Sequence, residues 1–193
     1  DGKGHFRDIA ATEYPEIAKA GMVTNAQWAD MNGDGQMDLV ISGLWMSPQI
    51  FLNQHNRFVK LATNMDSLFG WWQSSLAMDV NGDGKMDLIL GNIGENFYLK
   101  PDKARPVKIW INDFDNNGIS DKILTRSING KDMPVFLKHD LEKQVPGLKK
   151  QNLKHGDFAR KSIQELFPTK IIEKCVVKEF DFCSSVVAIN EGN

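Results

Sequence analysis

The chain has 193 residues, 41% of them hydrophobic and 25% charged, with a formal net charge of -2. These values exclude wholesale disorder and collagen-like or disulfide-dense scaffolds, and they supply no overall electrostatic drive toward nucleic acid or anionic lipid. No apolar stretch reaches the roughly 20 residues that cross a bilayer, so neither nucleic-acid binding nor membrane insertion is expected. The chain opens at Asp1 on a polar, Gly-rich stretch without an initiator Met or an apolar leader, which gives the expectation of a piece excised from something longer.

In chain order, Asp1 to Ala10 comes first, a Gly-His-Phe stretch that matches Asn53 to Ala62 as a weak repeat marker. A stronger one follows at Asp30-Met31-Asn32-Gly33-Asp34-Gly35-Gln36-Met37-Asp38. It recurs as Asp79-Val80-Asn81-Gly82-Asp83-Gly84-Lys85-Met86-Asp87, and more loosely at Asp113, Asp115, Asn117, Gly118 and Asp121. The starts are 49 and 34 residues apart, the spacing of propeller blades and solenoid units. Behind the first loop, Met37 to Ile41 is a short apolar run ending at Gly43. Met86 to Leu90, ending at Gly91, repeats it, and both read as buried strands. Ser75 to Met78 and Val107 to Ile111, ahead of the second and third loops, are strand-like as well. From about 139 to 168 the pattern turns helical: Leu141, Val145 and Leu148 form an apolar face around Pro146-Gly147. Gly156 is expected to end one helix and Asp157 to cap the next, ahead of Phe158, Ile163, Leu166 and Phe167, with Pro168 as the stop. Strands resume with Cys175 to Val177 and Ser185 to Ile189. The closing Ile189 to Asn193 matches Leu52 to Asn56.

Asp, Asx, Asp or Asn, Gly and Asp at positions 1, 3, 5, 6 and 9 of each loop suit a hard cation. Calcium takes six to eight oxygens, and alternate side chains of a tight loop converge on one centre. The candidate ligands are Asp30, Asn32, Asp34, Gln36 and Asp38; Asp79, Asn81, Asp83, Lys85 and Asp87; and Asp113, Asp115, Asn117, Ile119 and Asp121. Gln36, Lys85 and Ile119, at position 7, enter through their carbonyls, which leaves their side chains free to vary. Gly at position 6 admits positive φ. Three carboxylates per loop repel without a cation, and a donor set of oxygens alone disfavours zinc and copper. Asn-Gly-Asp-Gly is also a good plain turn, but such a turn has no need of Asp at position 9. An EF-hand is rejected because position 12 is Ile41, Leu90 and Leu124 instead of Glu, and strands follow where helices should.

On these loops and the blade-end markers, the chain resembles the FG-GAP, or VCBS, repeat family of integrin-alpha-like propellers and secreted bacterial repeat proteins. The resemblance covers about residues 1–138 and 175–193, although no Phe-Gly-Gly-Ala-Pro string is present. It implies a mainly β fold of propeller-like blades carrying structural calcium, at an extracellular, periplasmic or cell-surface location. The expected organisation is one repeat region over 1–193, with loops at 30–38, 79–87 and 113–121 and a helical insertion at about 139–168. At roughly 40–50 residues per blade, about three to four blades fit, which predicts a partial or open propeller with exposed strand edges.

Catalysis is not expected, since the dense carboxylates are committed to metal and no nucleophile triad or phosphate loop is present. His5, His55, His139 and His155 read as exposed. Cys175 and Cys183 are too few for a disulfide framework and read as free thiols. The five tryptophans are expected in the core, with the Trp71-Trp72 pair as the exception that would suit stacking on sugar rings. Lys149, Lys150, Lys154, Arg160 and Lys161 read as the solvated side of a helix. The function expected is a calcium-binding module with a structural or adhesive role toward a protein or carbohydrate ligand, beside neighbouring repeats of a parent chain. The alternative is part of a carbohydrate-active propeller enzyme, such as a polysaccharide lyase, whose catalytic residues lie elsewhere.

Overall fold

A computed structural model of the chain describes residues 2–55, 57–151 and 154–192. Asp1, Asn56 and Asn193, which belong to the weaker repeat markers, lie outside the described residues. The fold is mainly β, built from three antiparallel sheets in the manner of partial propeller blades. The chain divides into two compact units, Asp1–Gly94 with Ser184–Asn193, and Glu95–Cys183.

The first unit opens with two single-turn helices that have no counterpart in the sequence reading, α1 (Ala10–Glu13) and α2 (Pro15–Ala18). The first ten residues therefore do not repeat Asn53 to Ala62, which runs into a strand; Phe6 stands fully in solvent. The first sheet has the order β1 (Met22–Ala29), β2 (Asp38–Met46), β3 (Gln49–Asn53), β4 (Phe58–Leu61), and β5 (Gly70–Trp71) also pairs with β2. β2 runs on past Gly43, where the sequence reading stopped it, because Gly43 lets β1 approach closely: a Cβ there would meet the Met22 carbonyl. β2 is buried on both sides, as its continuous apolar run requires. The second sheet is β6 (Ser74–Met78), β7 (Asp87–Gly91) and β12 (Val186–Ala188), with β7 central. Its third strand returns only after the whole second unit. Asn92 N–H donates to Ser185 Oγ (3.0 Å), holding the two ends of that excursion together.

In the second unit, β8 (Val107–Asn112), β9 (Asp121–Ile128), β10 (Lys131–Pro134) and β11 (Val176–Phe180) form a sheet of order β10-β9-β8-β11. Five short helices follow β10: α3 (Lys138–Gln144), α4 (Leu148–Gln151), α5 (His155–Phe158), α6 (Ile163–Leu166) and α7 (Thr169–Ile172). The helical segment expected at about 139–168 thus lies inside a larger folded unit. Its apolar face is as anticipated, with Leu141, Val145, Leu148, Phe158, Ile163 and Leu166 packed around Trp110, Phe114 and Ile123. Its punctuation differs. Gly156 and Asp157 sit within α5, and the cap is Ser162, which with Glu165 forms a capping box at α6. Pro168 does not end the helical stretch but precedes α7 as its N-cap.

All four histidines are exposed and both cysteines are free, Cys183 buried and Cys175 partly so. Trp72 is fully buried and Trp71 stacks edge-on against Trp45 at 5.0 Å, so the pair is not the exposed exception. That place belongs to Trp28, 58% exposed beside Phe58. Among the described residues no helix is long and apolar enough to cross a membrane.

Candidate metal centre

Each acidic loop is a strand-to-strand turn: β1 to β2, β6 to β7 and β8 to β9. The first two are near copies. Asp30 accepts the N–H groups of Gly33 (2.8 Å), Asp34 (3.1 Å) and Gly35 (2.8 Å), and Asp79 those of Gly82, Asp83 and Gly84. Asn32 donates to Asp34 Oδ2 (3.0 Å) and Asn81 to Asp83 Oδ2 (3.2 Å). Asp34 Oδ1 accepts from Gln36 N–H (2.8 Å), and this bond, with the one from Asn32, holds the Asp34 carboxyl below its ordinary pKa. Asp83 accepts likewise from Lys85 N–H (2.9 Å), while Lys85 Nζ reaches the Glu191 carbonyl. Positive φ is needed at position 4 as well as position 6, and Gly33, Gly35, Gly82 and Gly84 all adopt it.

Position 9 has a role that the sequence reading did not anticipate. Asp38 is fully buried, and its two oxygens accept from Met31 N–H (2.8 Å) and Asn53 N–H (2.7 Å). Asp87, equally buried, accepts from Val80 N–H (2.9 Å) and Asn190 N–H (2.7 Å). The Asn190 bond, then the Val80 bond, lower the Asp87 pKa. A turn of this type therefore has a use for Asp at position 9 without a cation, as the acceptor that ties the loop to the outer strand. Asn190 also donates from Nδ2 to the carbonyls of Met31 (2.9 Å) and Met86 (3.2 Å), joining the first two loops. Its only sequence signal was its match to Asn53.

The third loop is wired differently. Asp113 accepts from Asn117 N–H (2.9 Å) and Gly118 N–H (2.7 Å), and Asn117 Oδ1 from the N–H of the exposed Ile119 (2.7 Å). Asn116 takes the positive φ that Gly supplies in the other loops. Asp121 accepts from Phe114 N–H at 3.2 Å, but among the described residues no outer strand reaches it, because β10 stops at Pro134 opposite Thr125. Among the described residues, Asp113, Asp115 and Asp121 are the carboxylates that converge, with one oxygen of each within 4.8 Å of the others. Burial raises the Asp121 pKa, and the nearby Asp115 and Asp113 charges add to it. Asp115 Oδ1 is shielded from water and accepts no hydrogen bond among the described residues. An all-oxygen set with uncompensated negative charge and an orphaned buried oxygen fits a hard divalent cation such as calcium.

Residues 30–90 match the family model described as the FG-GAP-like repeat. This stretch is an FG-GAP-like repeat. It runs from the first acidic loop through the first sheet and the second loop to the end of β7. The third loop, with the converging carboxylates, lies beyond the matched residues. No curated protein and no solved structure matches the chain.

Proposed function

We propose that the chain is a calcium-stabilised repeat module of an extracellular, periplasmic or cell-surface protein, with a structural and adhesive role instead of a catalytic one. The observation that carries the reading is the convergence of the Asp113, Asp115 and Asp121 carboxylates, with Asp115 Oδ1 shielded from water and without a hydrogen-bond donor among the described residues. Bound calcium supplies the missing positive charge. Asp113, Asp115 and Asp121 would hold it in the third loop. Asp30, Asn32 and Asp34, with Asp79, Asn81 and Asp83, are the corresponding candidates in the first two. There the chain's own amides already support the turns, so the cation's contribution is smaller.

For the ligand, the ring of Trp28 favours a carbohydrate. It stands more than half exposed beside Phe58, whose other neighbour is Tyr14 at 5.5 Å, and such rings stack on apolar sugar faces while their rims hydrogen-bond. The test of the calcium reading is thermal unfolding in EDTA and in millimolar calcium. At about ten times a millimolar dissociation constant, mass action gives about 1.4 kcal/mol, or about 3–6 °C in Tm. Equal Tm in both buffers refutes it. Glycan-array binding that is lost in Trp28→Ala supports the carbohydrate ligand, and retained binding or none removes it.

A further inference from the structure

The row Trp28, Leu39, Phe51 and Lys60 crosses β1 to β4 in register, and partners across strands share a face of the sheet. Phe58, two residues before Lys60, points to the same side. Ile17 and Ala20 cover the middle of this face by packing on the cluster of Leu39, Ile41 and Phe51, and Phe58 is half-buried beside them. Its ring meets Trp28 at 5.6 Å and Tyr14 at 5.5 Å. Tyr14 stands at the junction of α1 and α2, so three aromatic rings run from the exposed Trp28 to the edge of the helical cover. There the cover and β4 leave an open cleft of about 380 Å³, lined by the buried or half-buried Tyr14, Ile17, Phe51 and Phe58 and by the exposed Glu16 and Arg57. That is the size of a small-ligand site. A second hollow continues it past Lys60 to Lys19 and Gln49.

The charged groups around the cleft are matched except for one. Glu13 pairs with Arg7 (3.8 Å) and Lys60 with Asp66 (3.5 Å). Glu16 and Lys19 lie three residues apart on the turn of α2, a spacing at which opposite charges offset each other. Arg57 has no ion pair among the described residues. Its backbone is nonetheless fixed. Gln54 N–H donates to the Arg57 carbonyl (2.8 Å) and Arg57 N–H to that of Gln54 (3.2 Å), which closes the turn from β3 to β4. A guanidinium on a rigid turn, next to an aromatic ring, thus presents a planar fork of donors with no acceptor among the described residues, and such a fork matches the two oxygens of a carboxylate.

We propose that this cleft binds an acidic sugar. A saccharide stacked on Trp28 continues along Phe58 and Tyr14 and sets a uronate carboxylate against the Arg57 guanidinium in a two-point hydrogen-bonded pair. The aromatic row supplies stacking that neutral sugars share, because every pyranose ring has an apolar face. Selection comes from Arg57: a neutral sugar leaves its charge unmatched, and a uronate satisfies it. The ligand is an oligomer instead of a single ring, since the aromatic row and the cleft together outrun one sugar. This inference rests on the carbohydrate reading of Trp28 and narrows it to a ligand class; it is independent of calcium.

The test titrates the 193-residue chain by calorimetry with oligomers of galacturonate, mannuronate, guluronate and glucuronate, each beside the same oligomer with its carboxyls reduced to alcohols. At least one acidic oligomer is expected to bind, and its reduced form to bind about tenfold more weakly, the loss of one charge-assisted hydrogen bond. Added salt should weaken the acidic oligomer and spare the reduced one. Arg57→Gln, at an exposed position, is expected to leave Tm unchanged, to cost the acidic oligomer about the same tenfold and to leave the reduced one unaffected. Trp28→Ala is expected to weaken both. Equal binding of the acidic and reduced forms, an Arg57→Gln loss shared by both forms, or a lowered Tm in that variant overturns the acidic-sugar assignment. If neutral glycans bind, lose affinity in Trp28→Ala and exceed every uronate oligomer, the carbohydrate reading stands and the assignment of the cleft falls. If no saccharide of either kind binds, both fall.

Discussion

Replacing Asp38 by Asn separates two roles that the same residue has in these loops. The carboxylate accepts from Met31 N–H at 2.8 Å and Asn53 N–H at 2.7 Å at a fully buried position. An amide has one acceptor oxygen and turns an NH2 toward the other N–H. One charge-assisted hydrogen bond, about 1.5–3 kcal/mol, is lost, and a buried N–H is left unsatisfied at about 1–3 kcal/mol. A loss of about 3 kcal/mol is therefore expected, which lowers Tm by about 6–12 °C for a chain of this size. The loss is expected in EDTA as much as in calcium, since the bonds are the chain's own. Asp121→Asn should act in the opposite sense. It removes a charge facing Asp113 and Asp115 while its oxygen keeps the one amide donor from Phe114. Tm in EDTA is expected to hold or rise, and the calcium increment to shrink. Thermal unfolding of both variants in both buffers is the assay. If Asp38→Asn is harmless in EDTA and abolishes the calcium increment, position 9 is a metal ligand first and the amide-acceptor reasoning is wrong.

Two further outcomes follow from the second unit. Thr125→Val leaves the indole N–H of Trp110, now bonded to Thr125 Oγ1 at 2.9 Å in a buried site, without an acceptor. A loss of about 1–3 kcal/mol is expected in urea unfolding, and Thr125→Ser should recover most of it. Glu165 is held down to about 2 by the Lys131 ammonium and the Ser162 N–H. A folded value below the unfolded one means that its stabilisation is complete above about pH 4.5 and disappears as pH falls toward the folded value. The urea midpoint of Glu165→Gln should therefore lie below that of the wild type near neutrality and approach it as the medium is acidified; a gap that widens in acid contradicts the assignment.

The central strand β2 was legible because burial on both faces demands an unbroken apolar run, and β7 because it repeats that run behind the same loop. The loops were legible because carboxylates gathered at alternate positions of one turn repel unless something holds them together. β9 was not recognised, since Lys122, Thr125 and Arg126 interrupt any simple pattern. The helices α1 and α2 are single turns with no periodicity to read. At α6 the signal was present, Ser162 followed three residues later by Glu165, yet the cap was assigned to Asp157. The site was legible in its residues but not in its wiring. All fifteen candidates lie in or beside the three turns, but whether an aspartate serves an amide or awaits a cation depends on which strand runs beside it. That is a property of topology: β3 and β12 bring Asn53 and Asn190 to Asp38 and Asp87, and among the described residues nothing comparable reaches Asp121.

The late return of β12 bears on the order in which the chain can acquire structure during synthesis. The first sheet is complete once β5 has emerged, whereas the second loop must wait for Asn190, 103 residues after Asp87, to supply the amide that Asp87 needs. Closing so long a loop is entropically unfavourable unless the intervening residues fold first and draw their ends together. The second unit, compact in its own right, is suited to that task. A nascent chain stalled before Ser185 would thus hold the first sheet and the second unit's sheet finished and one that is still a hairpin, its apolar side offered to whatever chaperone is nearest.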